Sequence, residues 1–197
     1  MNYLAHSYLT FSDEQIVGQF LNDYIPNKER FSLPEKILQG VILHREIDTY
    51  TDNHPIILQA KKIFSPLVRL YAGAFVDVAM DYFLSHDNTI NSPIGWKNHS
   101  SRVYKILNEH SFRFPENFRI MLAKMETEDW LYNYREDWGI EFSMKNVLHK
   151  AKYLDKSLPV FELFSENKNI LQQHYQDFFP DLQLHISTIN SRFKTVE

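Results

Sequence analysis

The chain predicts an all-α, single-domain helical bundle, and three observations carry that expectation. No window shows the sustained alternation of a strand. Helix-start signals stand ahead of segments with helical apolar spacing. The stretch from Pro66 to Ser85 is almost wholly apolar over the length of a long buried helix.

The elements follow in order. Ser12-x-x-Gln15 is a capping box that opens a helix to about Tyr24. Pro26 to Arg30 is a polar loop. Ser32-x-x-Glu35, with Pro34 in the first turn, opens a second helix to about Thr51. Asp52-Asn53 caps a third, from His54 or Pro55 to Ser65, and the apolar helix follows as one piece. Asn88 to Lys97, with Pro93 and Gly95, is a loop. Further helices are expected at His99 to His110, Pro115 to Tyr134, Ile140 to Leu154, Pro159 to Phe178 and Pro180 to Phe193. Repeats and linkers are missing, so residues 1–197 are expected to form one domain.

Composition narrows the chemistry. The chain has no Cys, which excludes disulfides, thiol catalysis and cysteinyl metal sites. None of its 5 glycines lies in a phosphate-loop or dinucleotide pattern. The N-terminus does not read as a signal peptide, and the cytosol is the default compartment. Pro66 to Ser85 is about the length of a membrane span. Two central aspartates, at about 2.5–3.5 kcal/mol each, oppose insertion, so no membrane partner is expected. A net charge of −4 does not suggest nucleic acid. Charge is uneven, however: Lys145, His149, Lys150, Lys152 and Lys156 stand against Asp155 alone between Met144 and Lys156. That stripe is either a solvated helix face or a dock for an acidic partner.

The apolar stretch also carries the chemistry. Asp77 and Asp81 lie four apart, on one helix face, among valine, alanine and aromatic residues. A buried, unpaired carboxylate costs several kcal/mol, roughly, and two side by side repel unless something positive lies between them. On an earlier helix His44, Asp48 and Asp52 recur every fourth residue, fanning over roughly 80° of one face. One imidazole and four carboxylates aimed at a point suit Mn, Fe, Zn or Mg. Simpler partners also exist: Arg45 or a helix end for Asp48 and Asp52, and Arg69 or a tyrosine for Asp77 and Asp81.

Several ordered blocks resemble a known family. Met1-Asn2-Tyr3-Leu4-Ala5-His6 and Val17-Gly18-Gln19-Phe20-Leu21-Asn22-Asp23-Tyr24 resemble the opening of acyl carrier protein phosphodiesterases. The segments from Gly40 to Asp48, from Thr51 to Pro55 and from Tyr71 to Leu84 resemble that family's further blocks, and weaker echoes continue to Phe178-Phe179-Pro180. The resemblance implies an all-α bundle of the HD-type metal-dependent phosphohydrolase kind. It implies hydrolysis of the phosphodiester joining 4′-phosphopantetheine to a serine of holo-acyl carrier protein, with Mn²⁺ the usual metal and Mg²⁺, Fe²⁺ or Zn²⁺ as alternatives. The polar positions carried over are His6, Asp23, His44, Arg45, Asp48, Asp52, Asp77 and Asp81.

On this reading His44, Asp48, Asp77 and Asp81 hold the metal. Asp23 is a further ligand or general base, and His6 orients phosphate or protonates the leaving serine oxygen. Arg45 clamps phosphate or forms an outward salt bridge. Tyr82 stands where the family has histidine, with His86 as a substitute one turn on. Three readings result: carrier-protein phosphodiesterase, phosphohydrolase on another phosphoester, and a carrier-binding homologue without activity. The basic stripe favours the acidic carrier protein as partner.

Overall fold

The computed structural model describes residues 1–193, and every regular element among them is helical. Eleven α-helices follow one another: α1 Tyr3–Tyr8, α2 Asp13–Leu21, α3 Glu35–Asn53, α4 Pro55–Val68, α5 Ala72–His86, α6 Pro93–Glu109, α7 Glu116–Thr127, α8 Trp130–Asn133, α9 Asp137–Lys150, α10 Val160–Glu166 and α11 Lys168–Phe193.

Helix α5 is the centre of the bundle. Phe75, Val76, Val78, Ala79, Met80 and Leu84 are sealed from solvent, and α1, α4, α6, α9 and α11 pack around them. Each of these side chains except that of Ala79 contributes about 1.5–3 kcal/mol of transfer free energy, so α5 is a main apolar anchor of the bundle. The expected single helix from Pro66 to Ser85 is instead two pieces. Helix α4 continues through Pro66 to Val68, and Arg69 then takes φ 52°. A left-handed non-glycine residue ends a helix. A short 3₁₀ turn, Arg69–Tyr71, follows, and α5 packs back on α4. The run Pro55–His86 is long and apolar enough by composition to span a membrane, but this break divides it.

Other boundaries differ for local reasons. Helix α1 was not anticipated; six residues are too few to show a period, and its Asn2 cap accepts from the Tyr3 amide. Ser12 caps α2 as expected, by accepting from the Gln15 amide, while Gln15 Oε1 accepts from the Phe11 amide. Ser32 does not cap α3: its hydroxyl donates to the Glu29 carbonyl, and α3 starts behind Pro34. His54, not Asp52-Asn53, caps α4. Ser92 caps α6 with Pro93 in its first turn, well before His99. Asp129, at φ 45°, separates α7 from α8, and α11 runs unbroken through Pro180.

One packing contact sets the geometry that matters below. Helices α2 and α3 approach backbone to backbone at two glycines. A Cβ on Gly18 would stand 2.1 Å from the Ile37 carbonyl oxygen, and one on Gly40 would stand 2.2 Å from that of Gln15. Only glycine permits this spacing. It brings Asp23, just past the end of α2, within 3.5 Å of the side chain of His44, one turn beyond Gly40. Gly40→Ala should therefore push the helices apart and destabilise the fold by about 1–3 kcal/mol, the scale of core overpacking. Chemical denaturation checks this, and an unchanged midpoint would mean that the close crossing is absent.

Candidate functional site

The segment before α1, with α1, α2, α3 and α5, surrounds a cavity of about 270 Å³ whose wall is mostly polar. Helix α1 reaches it because of Asp81. That carboxylate is sealed inside α5, where its oxygens accept from the Leu4 amide at 2.7 Å, the Asn2 amide at 3.2 Å and the Ala5 amide at 3.4 Å. Four residues earlier, Asp77 Oδ1 accepts from the Met1 ammonium at 2.9 Å. The positive partner that the Asp77/Asp81 pair requires is thus an ammonium and the amide-rich start of a helix. Burial raises both carboxyls, Asp81 to about 7, against the opposing pull of that ammonium and, at Asp81, of the three amides.

Anchored in this way, α1 sets His6 against α3. The His6 and His44 rings stack with centroids 4.0 Å apart. His6 Nδ1 lies 2.9 Å from Gln19 Oε1, an amide oxygen that only accepts, so the ring proton is assigned to Nδ1 and the lone pair to Nε2. His6 Nε2 lies 3.2 Å from Asp48 Oδ1, and His44 Nε2 lies 3.2 Å from Asp48 Oδ2. Asp23 Oδ1 is 3.5 Å from the same His44 nitrogen. Burial and the neighbouring His44 ring lower the pKa of His6. Burial alone would raise Asp48, but the hydrogen bond it accepts from His44, with the His6 ring beside it, outweighs burial and holds the carboxyl well below the usual range.

This donor set fits a divalent ion. Two imidazole nitrogens and one carboxylate oxygen lie within 4.8 Å of one another. A neutral His6 directs a lone pair at an ionised carboxylate, and a cation between them resolves that conflict. Among the described residues, three side-chain atoms of residues lining the cavity, Gln19 Nε2, Thr51 Oγ1 and His44 Nδ1, are buried without a hydrogen-bond partner.

The sequence-predicted residues therefore divide. His6, Asp23, His44, Asp48, Asp52 and Asp77 all border the cavity. The expected convergence of His44, Asp48, Asp77 and Asp81 is not seen. Asp81 is absent from the cavity wall, its lone pairs taken up by α1, and His6 stands in the cluster in its place. Arg45 is not a clamp here, because its guanidinium donates to Asn22 Oδ1 at 3.0 Å and Asn27 Oδ1 at 2.6 Å, tying α3 to the loop after α2. Asp52 pairs with Lys61 at 2.8 Å. Tyr82 lies away from the cavity, under Lys168 and beside His86, so neither occupies a ligand position. Gln19 and Thr51 are not among the residues that the sequence singles out. Both lie inside the blocks quoted above, but nothing in their type distinguishes a second-layer amide or hydroxyl from an ordinary polar residue.

Asp81→Asn separates a structural carboxylate from a metal ligand. It sets an amide NH₂ against backbone N–H groups, so the metal-free protein should lose on the order of 1–3 kcal/mol. A metal-free melting curve equal to that of the parent, with weakened Mn²⁺ binding, would return Asp81 to the ligand set.

Comparison with known proteins agrees with this arrangement. The family model described as acyl carrier protein phosphodiesterase matches residues 1–182. The acyl carrier protein phosphodiesterase of Photorhabdus laumondii is 27% identical over 184 residues, covering 90% of this chain and 87% of that one. That of Enterobacter sp. (strain 638) is 27% identical over 192 residues, covering 93% and 96%. No solved structure matches the chain. With nearly its whole length matched, and with the quoted blocks meeting around one polar cavity, the chain belongs to the acyl carrier protein phosphodiesterase family.

Proposed function

We propose that the protein is a divalent-metal-dependent phosphodiesterase that releases 4′-phosphopantetheine from holo-acyl carrier protein, leaving the apo form. The single observation that carries this is the His6–His44–Asp48 cluster at a polar cavity, in a chain of this family. The HD-type relationship rests on the sequence resemblance.

Each residue has a task in that reaction. His6 Nε2, His44 Nε2 and Asp48 would hold the ion, with Mn²⁺ the first choice and Mg²⁺, Fe²⁺ or Zn²⁺ as alternatives. Such an ion supplies Lewis-acid neutralisation of the phosphodiester and lowers the pKa of water. Gln19 keeps His6 in the tautomer that offers Nε2. Its free amide hydrogens, with the Thr51 hydroxyl, donate to phosphate oxygens. Asp23 is more than half exposed at the rim and takes the proton of the attacking water. Water adds to phosphorus, the bond to the serine oxygen breaks, and that oxygen receives the proton that Asp23 took from the water.

The partner reading also changes. Of the stripe lysines, Lys145 pairs with Glu141, Lys152 lies over the Tyr153 ring, and Lys156 donates to the Leu148 and Ala151 carbonyls at the end of α9. Lys150 borders a second cavity beside the first and is the stripe residue best placed to meet an acidic carrier.

Purified protein with Mn²⁺ should lower the intact mass of holo-carrier by that of the phosphopantetheine group; an unchanged mass would sink the proposal. Asp48→Asn should abolish Mn²⁺ binding in calorimetry and cut hydrolysis at least ~100-fold, the scale of a lost metal contribution. Tyr82→His should leave turnover within a few-fold, since Tyr82 does not border the cavity. Lys150→Glu should raise KM for holo-carrier and weaken its dependence on salt, which screens over about 10 Å at 0.1 M. A KM indifferent to both would favour a small-molecule substrate.

A further inference from the structure

Beside the polar cavity lies a second one of about 300 Å³, and Met1, Asn2, Tyr3 and Asp77 border both. Its floor is α5 at Ala74 and Asp77. One wall is a single stripe of α9, Ser143, Asn146, Val147 and Lys150, at helical spacing. The opposite wall brings Met121 and Lys124 of α7 with Trp130 of α8. The lining therefore combines apolar surface and neutral polar groups with the charged side chains of Asp77, Lys124 and Lys150. Among the described residues, the Ser143 hydroxyl and the Asn146 amide make no hydrogen bond to the protein, although both are half-buried in this wall. Asn146 offers a donor and an acceptor together, which is what a secondary amide pairs with.

We infer that this second cavity is the subsite for the pantetheine arm, the thin, uncharged, diamide-bearing chain of the substrate. The inference rests on the phosphodiesterase reading above. A phosphodiester seated at His6, His44 and Asp48 carries two substituents. One is a folded protein, which cannot enter a cavity of this size. The other is a flexible chain, and 300 Å³ lies at the lower end of cavities that bury small ligands. The arm passes over the Asn2–Tyr3 rim, sets its methyl groups against Met121, Trp130 and Val147, and pairs its amides with Asn146 and Ser143. Lys124 pairs with Glu128, while Lys150 has no counter-charge on a neutral arm and remains for the acidic surface of the carrier lying across the opening.

Asn146→Trp tests this by filling the cavity, and Ser143→Phe fills it from a second position on α9. Thermal melting and Mn²⁺ affinity establish that each variant is folded with an intact metal site. The probe is D-pantetheine, which has the arm but no phosphate, observed by saturation-transfer NMR. The parent should bind it and both variants should not. The kcat/KM for holo-carrier should fall at least ~30-fold in each variant, because binding energy from the remote arm is used at the reacting centre. Hydrolysis of holo-carrier by the parent, with no pantetheine signal and unchanged kcat/KM in a folded variant, would overturn the subsite while leaving the activity standing. Pantetheine binding that both variants abolish, in a parent that does not cleave holo-carrier, would support the subsite and overturn the activity. If Asn146→Trp fails to fold, Ser143→Phe decides alone.

Discussion

Asp81 is a carboxylate with no solvent exposure in a helix of valines, alanines and phenylalanines, and much of the fold is arranged around satisfying it. Left alone it would cost several kcal/mol, roughly. Three backbone amides of the N-terminal segment meet it instead. Those bonds join residues 76 to 79 apart in sequence, fix the helix that carries His6 and hold it against a face of α3; α5 is the bundle's anchor, so what docks on it is held firmly. The Asp81 carboxylate thus reaches the candidate metal site through one short helix, without touching it.

The second constraint is the glycine crossing of α2 and α3. It sets the distance between Gln19 on α2, with Asp23 just beyond its end, and His44 and Asp48 on α3. A larger residue at either glycine would separate an imidazole from the carboxylate that shares it. The site is therefore assembled by two unlike devices, a buried carboxyl group accepting amides and a close backbone contact, each acting on a different pair of helices.

Much of this was legible in the sequence, and the limits are physical. Helical class, the central apolar helix and the faces bearing His44/Asp48 and Asp77/Asp81 follow from spacing, because a helix has one period. Spacing places two residues on a face without saying what the face meets. Asp77 and Asp81 share a face, yet Asp77 opens on the cavity and Asp81 is closed over by α1. Nothing near Asp81 in sequence reports that, since its partners are the amides of residues 2, 4 and 5, which any side chain could supply. His6 and Asp23 came from the resemblance, because α1 and the 3₁₀ turn Asn22–Tyr24 are too short to show a period. Arg69 was read through as helix because Arg carries no sign of a left-handed conformation.

The histidine that the family has at the position of Tyr82 bears on function through the same geometry. A residue after Asp81 on α5 is turned about 100° from it around the helix axis. Asp81 already points at α1 rather than into the cavity, and Tyr82 faces the start of α9 and α11, where its hydroxyl is 3.5 Å from Asp137 Oδ1 and Lys168 lies 4.5 Å from its ring. A tyrosine there exchanges one aromatic ring for another within a cluster containing Phe83, His86 and Phe164. The departure therefore falls on packing between α5 and the C-terminal helices, whereas the cluster that could hold a metal, His6, His44 and Asp48, is built by α1 and α3.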